Sequence, residues 1–241
     1  MKGLKIVMHA FQMVWNNLKE ALQISTVPLV VVGFAAYALL PSFSLDFSDP
    51  ELVGQAWQPF LLVWVGWLAA TTWIFVAWHR YVLLEEYPKG WIPTFRLVQV
   101  LSYLGYGIVI GCIAGLALLP GLIFALVSPA LGSLFIFIGV VAAILIFYRL
   151  VPMLPAVAIG RRMTLSEAWG ATEGANTTIV SIVLILFAIQ LVLQLAFETL
   201  AAIAPVLEFL ASLGFTLFLG LVNVSILTTF YGHYVEGRSI D

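Results

Sequence analysis

Leu134-Phe135-Ile136-Phe137-Ile138-Gly139-Val140-Val141-Ala142-Ala143-Ile144-Leu145-Ile146-Phe147-Tyr148-Arg149 is an apolar run closed by a cation. It does not alternate between apolar and polar residues as the strands of a membrane barrel do, so it predicts a helix. A helix satisfies its own backbone in hydrocarbon, which is what a segment of this kind must do to cross. Pro152 and Pro155 follow closely and are expected to kink or end the helix where it leaves the bilayer.

The rest of the chain has the same character. Of 241 residues, 63% are hydrophobic and 9% charged, and the mean hydropathy is +1.10. Soluble domains carry roughly 25% charged residues, so this composition excludes a water-soluble globule. The prediction is an all-α, polytopic membrane bundle of about six transmembrane helices, forming a single integral membrane domain over residues 1–241. The net charge of −2 says little, because in a membrane protein placement matters more than sum. Nothing points to a nucleic-acid partner. Cys112, the single cysteine, lies in an apolar run and reads as a small packing residue. The N-terminal segment carries Lys2 and Lys5 but has no small-residue cleavage site, so a cleaved signal peptide is not expected.

In residues 1–25, Leu4, Val7, Phe11, Trp15, Leu18 and Leu22 recur at helical spacing, which predicts an interfacial amphipathic helix. The bundle then occupies residues 26–241. Its first span is expected over about Val27 to Phe43, ended by a polar stretch with Asp46, Asp49 and Glu51; the second runs from Phe60 to His79-Arg80. A third covers Val98 to Leu119, with Pro120-Gly121 as its end, and the fourth is the run quoted above. The fifth runs from Ile179 to about Phe197 and the sixth starts near Leu210, separated by Glu198, Pro205 and Glu208. Thr164 and Glu167 have the spacing of a capping box and predict a short surface helix through Trp169.

Orientation follows from the cations. All ten Lys and Arg residues fall before the first span or after the second, fourth or sixth: Lys2, Lys5, Lys19, Arg80, Lys89, Arg96, Arg149, Arg161, Arg162 and Arg238. By the positive-inside rule these regions are cytoplasmic, which places the protein in a bacterial inner membrane with both termini inside.

Three exits from even-numbered spans look alike: Ala77-Trp78-His79-Arg80-Tyr81, Ile146-Phe147-Tyr148-Arg149-Leu150 and Phe230-Tyr231-Gly232-His233-Tyr234. They suggest three repeated units of surface helix and helix hairpin. The other reading needs no repeat: Trp78, His79, Arg80, Tyr148, Arg149 and His233 form a cytoplasmic interface collar of aromatic anchors and snorkelling cations.

Residues 148–174 also carry a resemblance. Tyr148-Arg149, a Leu154-Pro155-Ala156 turn, and a helix with central Trp169 and closing Gly174 resemble an element of the membrane domain attached to some bacterial glycerophosphoryl diester phosphodiesterases, and of related stand-alone membrane proteins. The resemblance implies membrane architecture only. The soluble barrel that carries phosphodiesterase activity is missing from this chain, and Gly170 and Glu173 stand where that group tends to have basic residues.

The search for chemistry returns little. His9, His79 and His233 lie on separate segments without metal-ligand spacing, and no phosphate loop, nucleophile elbow or cofactor signature occurs. No catalytic, metal or cofactor residue is therefore assigned. Gly107, Gly111 and Gly115 recur at i+4 and are expected to let another helix approach, within the chain or from a partner, with a ligand path as the alternative. The intramembrane polar residues Gln190, Gln194 and Asn223, with Tyr103 and Tyr106, are expected to hydrogen-bond between helices or to line a path for a polar solute. Together these readings predict a non-enzymatic protein acting through contacts with membrane lipids and other integral membrane proteins. A transporter or lipid-handling protein is the alternative.

Overall fold

The structure, a computed structural model, describes residues 1–39 and 50–240, with side chains at 1–39 and 57–240. The polar stretch holding Asp46, Asp49 and Glu51 lies outside the described side chains. The described residues form helices and no strand, and six helical segments are long and apolar enough to cross a membrane. In chain order they are Leu18–Leu39, Trp57–Leu84, Leu97–Ala125, Pro129–Ala158, Asn176–Ile203 and Pro205–Tyr234. The expected all-α multi-span architecture is therefore present.

The helices are α1 (Lys2–Asn16), α2 (Leu18–Leu39), α3 (Pro50–Leu84), α4 (Leu97–Gly115), α5 (Leu119–Ala125), α6 (Pro129–Leu150), α7 (Met153–Ala158), α8 (Leu165–Ala171), α9 (Asn176–Ile203) and α10 (Pro205–Tyr234). Three hairpins result: α2 with α3, α4–α5 with α6, and α9 with α10. Because spans alternate in direction, the segments with Lys and Arg come together at one end, called here the basic end.

Several boundaries differ from the sequence reading. The first span begins at Leu18, since the chain breaks at Asn17, whose amide Nδ2 donates to Met13 O at 2.6 Å. Residues 18–25 thus belong to the bundle and not to an interfacial helix. α1 itself is docked on α9 and α10 through Gly3, Ile6, Val7, Ala10 and Val14, all buried. Leu4 and Trp15 of α1, with Leu18 and Leu22 of α2, are exposed and available to lipid, as the stripe of an interfacial helix requires, while a second stripe of α1 meets protein.

Pro120 does not end the third span. A 3₁₀ turn at Leu116–Leu118 tightens the helix, and Pro120 then falls in the first turn of α5, where its missing N–H is not needed. The segment runs on to Ala125 and packs on α6 through glycines. A Cβ on Gly121 would lie 2.6 Å from Ile136 N, one on Gly132 2.5 Å from Ala125 Cα, and one on Gly139 2.5 Å from Ala117 O. These three residues, and not Gly107, Gly111 and Gly115, give close backbone approach inside the chain.

The proline elbow forms as expected. α6 stops at Leu150, and α7 follows at once, buried along its whole length against α3, α4 and α10. Gly160 (φ 86°) and Gly174 (φ 76°) turn the chain into and out of the α8 segment, in left-handed conformations that glycine accepts without strain. The Thr164 capping box is complete: the Glu167 N–H donates to Thr164 Oγ1, and the Thr164 N–H to Glu167 Oε2 at 2.7 Å.

The second proposed repeat unit lacks its surface helix, since residues 85–96 form none. Only the hairpins recur three times.

Candidate functional site

At the basic end the hairpins are joined by a polar junction. His79, on α3, is fully buried between α10 and α4. Its Nδ1 lies 2.8 Å from Thr228 Oγ1 and its Nε2 3.2 Å from the Tyr103 hydroxyl. The protons can be assigned from the next bond in the chain. Thr228 Oγ1 donates its proton to Val224 O at 2.9 Å, so it must accept from His79 Nδ1–H, and Nε2 then accepts from Tyr103. Both ring nitrogens are paired, and the imidazole ties one residue of each hairpin.

Trp78 is also fully buried, and its indole N–H donates to Ser225 Oγ on α10 at 2.8 Å. Trp78 and His79, expected as lipid-facing anchors of the collar, are thus interior residues. Tyr81, one turn on, donates to Asn17 Oδ1 at 2.6 Å and so fastens the α1–α2 break to α3.

The cations of the collar bind protein groups. Arg80 donates through Nη1 to Ala158 O at 3.1 Å, joining α3 to the end of α7, and pairs with Glu86 at 2.6 Å. Glu86 also pairs with Arg96 at 2.7 Å. Glu85 takes a left-handed conformation (φ 54°) just past α3, and this turn swings Glu86 back between the two arginines. Partial burial alone would raise the Glu86 pKa, but the hydrogen bonds from Arg96 and Arg80 and their charges outweigh it and hold the carboxyl below its ordinary value.

Arg149, a snorkelling cation in the collar reading, does not reach outward. Instead its Nη2 donates to Trp169 O at 2.8 Å, while its guanidinium stacks 4.1 Å from the Trp169 ring centroid. Arg149 Nε also donates to Thr172 Oγ1 at 3.4 Å, and Thr172 gives its own proton to Ala168 O at 2.8 Å. Arg149 therefore fastens the last turn of α8 to the exit of α6. Tyr148 packs edge-on against Phe147 and Phe230. His233 is half-buried and donates from Nδ1 to Arg238 O at 3.1 Å, holding the turn after α10. The Thr229 and Tyr231 hydroxyls are buried, and Glu236, Arg161 and Arg238 are the charges facing Tyr231.

The remaining sequence candidates face outward. A Cβ on Gly107, Gly111 or Gly115 would meet nothing within 4 Å, so within the chain they support no helix contact. Gln190, Gln194 and Asn223 are exposed and make no bond between helices. Gln194 donates to Glu198 at 3.0 Å on its own helix, Asn223 donates to Leu219 O at 2.9 Å one turn back, and no bond among the described residues involves Gln190. Gln190, Gln194, Phe197, Glu198 and Ala201 line an open groove of about 400 Å³ bordered by Glu208 of α10.

Sequence reasoning missed Thr228 and Ser225, the partners of His79 and Trp78. A signal existed: Ser225, Thr228 and Thr229 cluster within two turns of an otherwise apolar span. Among the described residues no group of three or more His, Cys, Asp or Glu could hold a metal ion.

Compared with protein-family models, with curated proteins and with solved structures, the chain matches none of them.

Proposed function

We propose that this is a multi-pass inner-membrane protein, with its basic end in the cytoplasm, that works through contacts with other membrane proteins and lipids as an accessory or scaffold subunit. One observation carries the reading: among the described residues, the buried side chains of α3, α9 and α10 gather toward the basic end. In α9 the buried residues stop at Ile182, in α10 they start at Leu221, in α2 they stop at Val32, and the described side chains of α3 are buried only from Ala70 on. Each of these helices thus presents a long bare flank to the membrane. Arg80, Arg96 and Arg149 of the junction are engaged by protein carbonyls and carboxylates, as a structural role requires. The resemblance of residues 148–174 to a membrane domain of the phosphodiesterase group fits a role in membrane architecture.

The alternative, handling of a polar or amphipathic solute, has one observation in its favour, the polar groove at Gln190, Gln194, Glu198 and Glu208.

Purification in mild detergent, followed by mass measurement, tests the proposal. The expected result is a particle well above the 26.4 kDa of one chain, with stoichiometric protein partners. A monodisperse single chain that catalyses solute flux in proteoliposomes would overturn it in favour of the alternative.

A further inference from the structure

Gln190 stands at the middle of α9, and Gln194 and Glu198 follow at i+4 and i+8 on one face. All three are exposed. An amide turned toward hydrocarbon without a partner is unfavourable, and Gln190 has no hydrogen bond among the described residues. The same face runs outward to two carboxylates, Glu198 on α9 and Glu208 across the hairpin in the first turn of α10. No cation of this chain can answer them, since all ten Lys and Arg belong to segments at the other end.

Resting on the contact function proposed above, we infer that the Gln190–Gln194–Glu198 face of α9 is a docking surface for a transmembrane helix of a different membrane protein, one that carries Lys or Arg near the end opposite the basic end and an amide or hydroxyl at mid-membrane. The charge pattern selects this occupant. A second copy about a two-fold axis along the membrane normal would place Glu198 and Glu208 near their own counterparts, with like charge meeting like charge, and would bring its cations to the wrong end. A heterologous helix with a cation neutralises the carboxylates, while its amide or hydroxyl pairs with Gln190 and with the free carbonyl of Gln194. Eight residues of helix rise about 12 Å, so the partner's cation and its mid-membrane polar group stand seven or eight residues apart.

The test uses the full chain in phosphatidylcholine vesicles with fluorescent Trp-flanked Leu-Ala transmembrane peptides as probes. One peptide carries Gln at mid-span and Lys eight residues on, a second carries Gln and Glu, and a third carries neither. Energy transfer is expected to show the Gln/Lys peptide binding about tenfold more tightly than the plain host. The Glu198→Lys, Glu208→Lys double variant should reverse the preference toward the Gln/Glu peptide, and Gln190→Leu should weaken binding of the Gln/Lys peptide. These positions are exposed, so an unchanged melting temperature serves as the control. Equal binding of all three peptides would overturn the inference, as would self-association of the chain abolished by Gln190→Leu, which would mark a second copy as occupant. If the peptides fail while the chain still purifies as a stoichiometric complex, the docking face is wrong and the contact function stands. If both fail, the contact function falls as well.

Discussion

Trp78, His79, Phe230 and Tyr231 at the basic end have 0% of their surface exposed, while Phe187, Ile203, Val206 and Phe209 toward the opposite end stand 64% to 78% exposed. The residue types are similar, and the difference lies in what surrounds them. At the basic end hydroxyls, an imidazole and an indole N–H are paired between helices, which fixes their spacing: Trp78 to Ser225, His79 to Thr228 and Tyr103, Tyr234 to Thr178 at 3.1 Å. At the opposite end, among the described residues, Gln194, Thr199, Ser212 and Asn223 bond only within their own helix. In lipid no hydrophobic force drives apolar helices together, so directional bonds and close backbone packing decide where helices meet. The contrast teaches that this bundle is held at one end by polar ties, and along the α4–α6 hairpin by glycine contacts.

The strongest way to break the contrast is to remove its central tie. His79→Ala leaves Thr228 and Tyr103 with lost partners and a cavity beside them, and is expected to destabilise the protein by about 3 kcal/mol. Thermal unfolding in detergent measures it, with His79→Phe expected to lose less because it keeps the volume. Wild-type melting of His79→Ala would mean that the junction does not hold the hairpins.

A second comparison sets two glycines against each other. Gly139→Leu drives a side chain into the Ala117 carbonyl and is expected to cost about 2 kcal/mol. Gly111→Leu, on the bare face of α4, should stay within about 0.5 kcal/mol for the isolated chain. A loss of assembly by Gly111→Leu with unchanged melting would assign that face to a partner.

The smallest effect concerns pH. Because the Glu86 carboxyl is held below its ordinary value in the folded protein, its ties to Arg80 and Arg96 are fully present above the ordinary glutamate pKa. They are lost as acidity passes down through the lowered value. Glu86→Gln should therefore melt slightly lower at neutral pH and converge with the wild type in acid, which flattens the acid limb; the effect is small because the group is part-exposed. A pH–melting series on both proteins reads this directly, and parallel acid limbs would remove Glu86 from the account.

The six spans, the end at which the cations gather, the proline break after α6 and the capped helix at Thr164 are all legible in the amino-acid sequence. Each of these depends on local chemistry: apolar length, a cation or proline at a span's end, a side chain reaching its own backbone. Which faces turn inward is set by the packing of the folded bundle. It buried Trp78 and His79 away from lipid, docked α1 on α9 and α10 through Gly3, Ile6 and Ala10, and gave the close helix approach to Gly121, Gly132 and Gly139 in place of Gly107, Gly111 and Gly115. The physical reason is that in a bilayer the protein-facing and lipid-facing sides of a helix are both apolar. Periodicity, which in water separates inside from outside, carries no such contrast here, and the partners that bury a residue come from helices far away in the chain.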